Sequence, residues 1–285
     1  MVYKQQAFLS IKDHAGIAPH MRIAQLTDTH LTTPESDAEH APGRADDLAR
    51  AVEAVNALEL EVDVVIHTGD MTQTAVDAEY NLAREILDGL NAPLYVVPGN
   101  RDSRGGLRST FGPDGYMGGQ GDDPVMYVIN DHAVRLIGFD TQSSTSMLAN
   151  LCADRLGWLD AALADCSNEP VAVMMHHPPI WVKASTVKPF NFETQEDADA
   201  LEGVIAKHDV ARVFCGHSHR AYGDDFGGTE CTTVPSLATD LRQGDYPDAM
   251  GASVVFQVHE YSPEGRFQSQ SHVAGAKAGH QVAAA

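Results

Sequence analysis

Asp28-Thr29-His30, Gly69-Asp70, Gly99-Asn100, His176-His177 and Gly216-His217-Ser218-His219 share one property: each follows directly on a short apolar run. Imidazole nitrogen with carboxylate or amide oxygen, and no thiolate, is a donor set suited to zinc, manganese or iron. Asp28 and His30 lie two residues apart, a spacing that on an extended chain points both side chains the same way, and His217 and His219 repeat it. Asp70 can bridge two cations, one through each carboxylate oxygen. Asn100 adds a neutral amide oxygen and so limits the negative charge. Gly69, Gly99 and Gly216 allow sharp turns and close backbone approach. Two metals about 3.5–4 Å apart can hold a hydroxide between them and neutralise charge on a phosphoryl group. In-line displacement then needs little beyond positioning. Each motif alone reads equally as a cap or a turn. Five in series, each at the end of an apolar run, favour the metal reading.

The elements that must carry these residues alternate in type. RIAQLTDTHL (22–31), DVVIHTGD (63–70) and PLYVVPGN (93–100) begin as strands and end in polar residues. Helical spacing fills the gaps at 46–60, where Leu48, Val52, Val55 and Leu58 share a face, and at 75–90. This rhythm predicts a parallel sheet covered by helices, and the rim at the carboxyl ends of such strands is where ligands gather. Residues 103–124 are Gly-rich and read as a long functional loop. Strands follow at 125–130 and 133–140, joined tightly at Asp131-His132, then at 171–177, 211–219 and 252–261; helices are expected at 156–165 and 197–209. Residues 1–20 read as a leader or edge element, 21–265 as a single domain, and 266–285 as a polar, frayed tail.

Bulk properties narrow the partners. The chain has 285 residues, 43% of them apolar, enough for a sizeable core, and no apolar run long enough to span a membrane. Its net charge of −21 repels the nucleic-acid backbone and argues against a nuclease gripping long DNA. A small phosphate ester is still admissible, because bound cations invert the local field. Cys152, Cys166, Cys215 and Cys231 form no CxxC pair and read as reduced thiols of a cytoplasmic protein, with a Cys152–Cys166 bridge as the alternative.

In this order and spacing, the motifs resemble those of the calcineurin-like metallophosphoesterases across residues 26–219. QLTDTHL (25–31), TGDMTQ (68–73) with AEY (78–80), HHPP (176–179), GHSHRAY (216–222) and VPS (234–236) are similar to the bacterial cyclic-nucleotide phosphodiesterase branch. The resemblance implies an α/β fold of four layers, an α/β-β/α sandwich of two packed mixed sheets flanked by helices. It further implies two metal ions (Mn, Fe or Zn), one on Asp28, His30, Asp70 and His219, the other on Asp70, Asn100, His176 and His217, with Asp70 bridging. His177 is then expected to pack nearby or touch substrate, and a homodimer is admissible.

One position departs from the family pattern. Where the family has His after the Asn, this chain has Arg101, followed by Asp102. Arginine cannot act as a general acid, but its guanidinium grips phosphate oxygens, and Asp102 could hold it in place. Arg101, Asp102 and Asp70 are therefore the catalytic candidates; Asn100, Arg101, His177 and His217 are the candidate substrate contacts. The activity expected is hydrolysis of a small phosphodiester of the cyclic-nucleotide type. A nucleotide-diphosphate pyrophosphatase is the alternative that Arg101 suggests, and a non-catalytic scaffold is the second. Gln73 stands where purple acid phosphatases place a Tyr ligand, which argues against an iron–tyrosinate site. Trp181, Phe190 and Phe192 could form a substrate lid or belong to the core or a subunit contact.

Overall fold

The computed structural model describes residues 20–166, 169–183, 189–262 and 264–274. In chain order the elements are β1 (Met21–Leu26), α1 (Gly43–Asn56), β2 (Val64–His67), α2 (Asp77–Leu87), β3 (Leu94–Val96), α3 (Arg104–Phe111), β4 (Tyr127–Ile129), β5 (Arg135–Gly138), α4 (Ala153–Asp165), β6 (Val171–Met174), α5 (Gln195–Ile205), β7 (Val210–Cys215), β8 (Tyr222–Phe226), β9 (Thr229–Thr233), β10 (Val254–Tyr261) and β11 (Phe267–Ala274). One sheet runs β11-β10-β1-β2-β3 and the other β4-β5-β6-β7-β9-β8. Both are mixed. β1, β2 and β3 are parallel, as are β5, β6, β7 and β9, while β4, β8, β10 and β11 join antiparallel.

Period-two alternation explains the layering. Met21 and Ile23 of β1 face the second sheet with Val64, Ile66, Leu136, Met174 and Phe214. Ala24 and Leu26 face the opposite way, onto Leu48, Val52 and Leu87 of α1 and α2 and Leu107 of α3. The second sheet buries its outer face on Leu159 and Leu163 of α4 and Leu201 and Ile205 of α5. Strands covered on both faces read as continuous apolar runs, which is why β1, β2, β6 and β7 stand out in the sequence. The result is the expected four-layer sandwich. No helix among the described residues is long and apolar enough to cross a membrane.

Three expectations need correction. The Gly-rich stretch is not a loop throughout: α3 occupies Arg104–Phe111, with Ser103 Oγ accepting from Gly106 N and with Leu107 and Phe111 buried. Gly106 hides this helix from propensity arguments, yet a Cβ there would stand 2.3 Å from Tyr80 Cε2. The tail is not frayed from 266: β11 pairs with β10 from Phe267↔Tyr261 to Ala274↔Val254. Its polar alternation is that of an edge strand held by backbone pairing. A Cys152–Cys166 bridge is ruled out, since all four thiols are free and the two cap opposite ends of α4, a helix about 20 Å long. Residues 1–19 and 275–285, where the leader and the rest of the tail were placed, lie outside the described residues.

A buried polar chain crosses the sheet interface. His259 Nε2 donates to Gln25 Oε1 at 3.0 Å, and Ser269 Oγ donates to His259 Nδ1 at 2.8 Å. Gln25 Nε2 in turn donates to Thr68 Oγ1 and the Cys215 carbonyl, both at 2.9 Å. It thereby ties the end of β2 to the end of β7. Burial lowers the His259 pKa to about 3. The unfolded chain therefore takes the proton first, and the stability this group contributes is complete above about pH 6.5 and lost as pH falls towards 3. We expect denaturant unfolding of the metal-free protein to show His259→Gln losing less stability than the parent between pH 7 and pH 4, by roughly 3 kcal/mol. Equal losses would contradict this assignment.

Candidate metal centre

The carboxyl ends of β1, β2 and β3 meet those of β6 and β7 along one edge of the sandwich. Main-chain bonds lock the loops together: Asp28 N donates to Gly69 O and His30 N to Asp70 O, both at 3.0 Å, and Gly216 N to His176 O at 2.9 Å. The ligand residues do not sit on extended chain. Asp28, His30, Asp70, His217 and His219 all have positive φ, between 46° and 65°. Convergence comes from left-handed residues at alternate positions, Asp28 and His30, His217 and His219, not from strand alternation, and the expectation from two-residue spacing is corrected accordingly. Such residues cost about 1–3 kcal/mol each and persist only where the surroundings hold them. The glycines serve a different purpose. A Cβ on Gly99 would lie 2.2 Å from Asp70 N and Oδ1; one on Gly216 would lie 2.2 Å from Thr27 Oγ1 and 2.8 Å from Asp28 Oδ2.

Two groups of donor atoms result. In the first, His30 Nε2 and His219 Nε2 are 3.2 Å apart, His219 Nε2 is 3.2 Å from Asp28 Oδ1, and His30 Nε2 is 3.6 Å from Asp70 Oδ2. The outer nitrogens are already committed. His30 Nδ1 donates to Gln73 Oε1 at 2.9 Å and His219 Nδ1 to the Leu241 carbonyl at 3.0 Å. Both Nε2 atoms therefore present lone pairs to each other and to two carboxylates. Asp28 Oδ2 accepts from Thr27 Oγ1 and His217 N, while Asp28 Oδ1 is buried without a hydrogen-bond partner. Lone pairs crowded at this distance repel unless a cation sits among them. The donor set thus fits the metal implied by the motifs.

The second group repeats the logic. His176 Nδ1 donates to Thr68 O at 2.7 Å, which turns Nε2 towards Asn100 Oδ1 at 3.2 Å, His217 Nδ1 at 3.1 Å and Asp70 Oδ2 at 3.5 Å. Asp70 faces both groups through the same oxygen. Its other oxygen, Oδ1, accepts the Arg101 amide at 2.7 Å. Oδ2 is therefore the Asp70 oxygen left open to both groups, and it is the one through which Asp70 would serve two ions. Burial would push the Asp28 and Asp70 carboxyls up, yet His219 beside the first and His176 beside the second hold both well below the usual range. His176 is raised to about 9 because Asp70 outweighs its burial. The pocket demands positive charge, and a cation entering it displaces a proton.

All seven expected ligands meet here. One other expectation does not hold. Asp102 is buried, and its carboxylate accepts from Met71 N, Thr72 N, Thr72 Oγ1 and Gly99 N. It clamps the Asp70 loop to the Asn100 loop and is not a tether for the Arg101 guanidinium. His177 is fully buried, with Nδ1 accepting from Thr141 Oγ1 and Nε2 donating to Met147 O, so it packs nearby as expected and ties the loop at 141–150 to the end of β6. Arg101 is exposed at the lip. Sequence reasoning missed the supporting shell. Arg44 is held by Asp240 and donates to His30 O and Gln73 Oε1. His67 braces the floor, accepting from Gly69 N and donating to Thr29 Oγ1. Gln73 lay within the recognised TGDMTQ run; nothing in the sequence marked Arg44 or Asp240.

The chain is similar to known phosphoesterases. The calcineurin-like phosphoesterase profile matches residues 21–221. The chain is 27% identical to a probable glycerophosphodiester phosphodiesterase, GpdQ, of Arcobacter nitrofigilis, over 86% of this chain and 90% of the relative. It is 28% identical to a probable cyclic nucleotide phosphodiesterase of Synechococcus, over 92% and 96%. It is 26% identical to the 3',5'-cyclic adenosine monophosphate phosphodiesterase CpdA of Escherichia coli, over 78% of each. A dimetal phosphatase from Danio rerio shares the fold, with a TM-score of 0.62 and 16% identity over 90% of this chain and 96% of the other.

We expect Gly216→Ala, which keeps every ligand, to weaken metal binding about tenfold or more in a metal titration, because the new methyl displaces Asp28. Unchanged affinity would contradict the close-packing account of this turn.

Proposed function

This chain belongs to the calcineurin-like phosphoesterase family, and on that premise we propose that it is a dinuclear-metal phosphodiesterase acting on a small phosphodiester of the cyclic-nucleotide type. The observation that carries the reading is the pair of lone-pair clusters sharing Asp70 Oδ2, with the orphaned Asp28 Oδ1 in one of them. Asp28, His30, His219 and Asp70 would hold one ion, and Asp70, Asn100, His176 and His217 the other. The nitrogen and oxygen donors suit Mn, Fe or Zn. When bound, such ions lower the pKa of a water and neutralise charge on phosphoryl oxygens.

The chain's own residues do the rest. Gln73, Thr68 O and Leu241 O fix the ring orientations of His30, His176 and His219, so no reorganisation is needed as charge develops. Arg101, whose amide donates to Asp70 Oδ1, would offer its fork of N–H donors to the phosphoryl oxygens. Arginine is too weak an acid to serve as proton donor, so the leaving group would take its proton from water or from the substrate itself. Curated relatives named as phosphodiesterases favour this reading over nucleotide-diphosphate cleavage or a non-catalytic scaffold. The four free thiols suit a reducing cytoplasm, where we place the protein.

Asp70→Ala is expected to lower both metal content and hydrolysis of bis-p-nitrophenyl phosphate by more than about a hundredfold. A variant that stays active with its metals in place would overturn the reading. Arg101→Ala should raise KM on a diester about tenfold. Arg101→His should gain most on diesters with poor leaving groups, because only histidine restores a proton donor; a gain independent of the leaving group would count against that role.

A further inference from the structure

Asn100 and Arg101 stand on a turn of the first sheet that is gripped from the second. Gln142 follows the end of β5 and is half-buried; its Nε2 donates to Gly99 O at 2.8 Å and to Asp102 O at 2.6 Å. Both N–H bonds of one amide are thus spent on the two carbonyls that bracket Asn100 and Arg101. The partners fix the orientation, because a flipped amide would set Oε1 against two acceptors. Within the turn, Asp102 N reaches Gly99 O at the longer distance of 3.2 Å. The turn presents Asn100 Oδ1 to His176 Nε2 at 3.2 Å and Arg101 N to Asp70 Oδ1 at 2.7 Å.

Gln142 is itself held from two sides. Its main-chain N donates to Asp140 Oδ1 at 2.8 Å, and its carbonyl accepts from Arg104 Nη2 at 2.8 Å and Arg155 Nη1 at 3.2 Å. Asp140 is fully buried, with Arg104 Nε on its Oδ2 at 2.7 Å and Arg104 Nη2 on its Oδ1 at 3.2 Å. Arg155 of α4, also buried, donates to Asp140 O at 3.0 Å. Ions taken this far out of water add little net stability, since desolvation offsets their attraction. Here they add direction, fixing the backbone from which Gln142 reaches across the seam. The Asp28 side of the centre is supported from elsewhere. Gly69 O and Asp70 O take the amides of Asp28 and His30, while Gln73 and Leu241 O take the rings of His30 and His219.

Resting on the two-metal phosphodiesterase reading, we propose that Gln142 is a positioning residue that sets Asn100 and Arg101 as one unit, and so governs the ion on the Asn100 side without governing the other. It acts through the carbonyls of Gly99 and Asp102. Without it the turn loses its tie to the second sheet, and the ligand amide and the guanidinium shift together. Asp28, His30 and His219 keep all their supports.

The test titrates the full chain with manganese after metal removal, with Asn100→Ala marking which binding step belongs to the Asn100 side. In Gln142→Ala that step is expected to weaken about tenfold while the other is unchanged. Gln142→Glu keeps the size of the side chain but loses the two donors, so the same step should weaken at least as much relative to the other. Parental behaviour in either variant, or equal weakening of both steps in Gln142→Ala, overturns the proposal. A second readout is coupling to Arg101. With both ions saturating, Gln142→Ala should raise KM for bis-p-nitrophenyl phosphate in the parent and leave it unchanged in an Arg101→Ala background, because residues acting as a unit do not add. Additive effects would reject the shared unit. The expected change in metal binding, in a protein that cleaves no diester, would keep the role of Gln142 and reject the phosphodiesterase reading. A parent that takes up no second ion would reject both, before any variant is compared.

Discussion

Asp70 Oδ2 is the atom on which the rest of the arrangement turns. It lies 3.6 Å from His30 Nε2 on one side and 3.5 Å from His176 Nε2 on the other. These two histidines come from different sheets, so the oxygen marks the seam of the sandwich. Around it stand imidazole lone pairs and carboxylate charge removed from water, an assembly that repels itself unless positive charge is present. The folded chain accepts that repulsion locally and is stabilised elsewhere, by three apolar cores spread over four layers. Cation binding then acts as linkage, favouring the folded state by whatever it contributes at this seam.

The backbone carries a second local cost. Five ligand residues adopt left-handed φ, a region that penalises every residue with a Cβ. The strain is held by bonds between loops: Asp28 N to Gly69 O, His30 N to Asp70 O, and the Asp102 carboxylate across Met71, Thr72 and Gly99. Asp102 is a good case of a charged group whose place in a motif suggests chemistry while its contacts give it a mechanical role. Burial and the nearby Asp70 charge raise its pKa to about 6, against the amides of Gly99, Thr72 and Met71, which pull it down.

The residues that converge at the rim were legible in the sequence because each stands at the break between an apolar run and a turn, and covered strands announce themselves by composition. The layered fold followed from the same runs together with the family resemblance. What could not be read were elements whose stability is tertiary. β11, with the sequence FQSQSHVA, carries no apolar run and is held by its ladder to β10. α3 contains Gly105 and Gly106 and exists because Leu107 and Phe111 bury against its neighbours. The hairpin of β8 and β9 did leave a signal, the adjacent Gly227 and Gly228, both with positive φ as a two-residue turn requires. The Arg44–Gln73–His30 chain left none, because 29 residues separate Arg44 from Gln73 and only the fold brings them together. The free oxygen of Asp70 was hidden too: which one remains open depends on where the Arg101 amide points.

Whether the two donor groups around Asp70 would hold a pair of adjacent ions can be tested by electron paramagnetic resonance of the manganese-loaded protein. Ions held side by side on Asp70 would be magnetically coupled, with a multiline spectrum that appears only as the second equivalent of metal is added. Two equivalents of bound manganese giving the simple six-line signal of isolated ions would contradict a shared site.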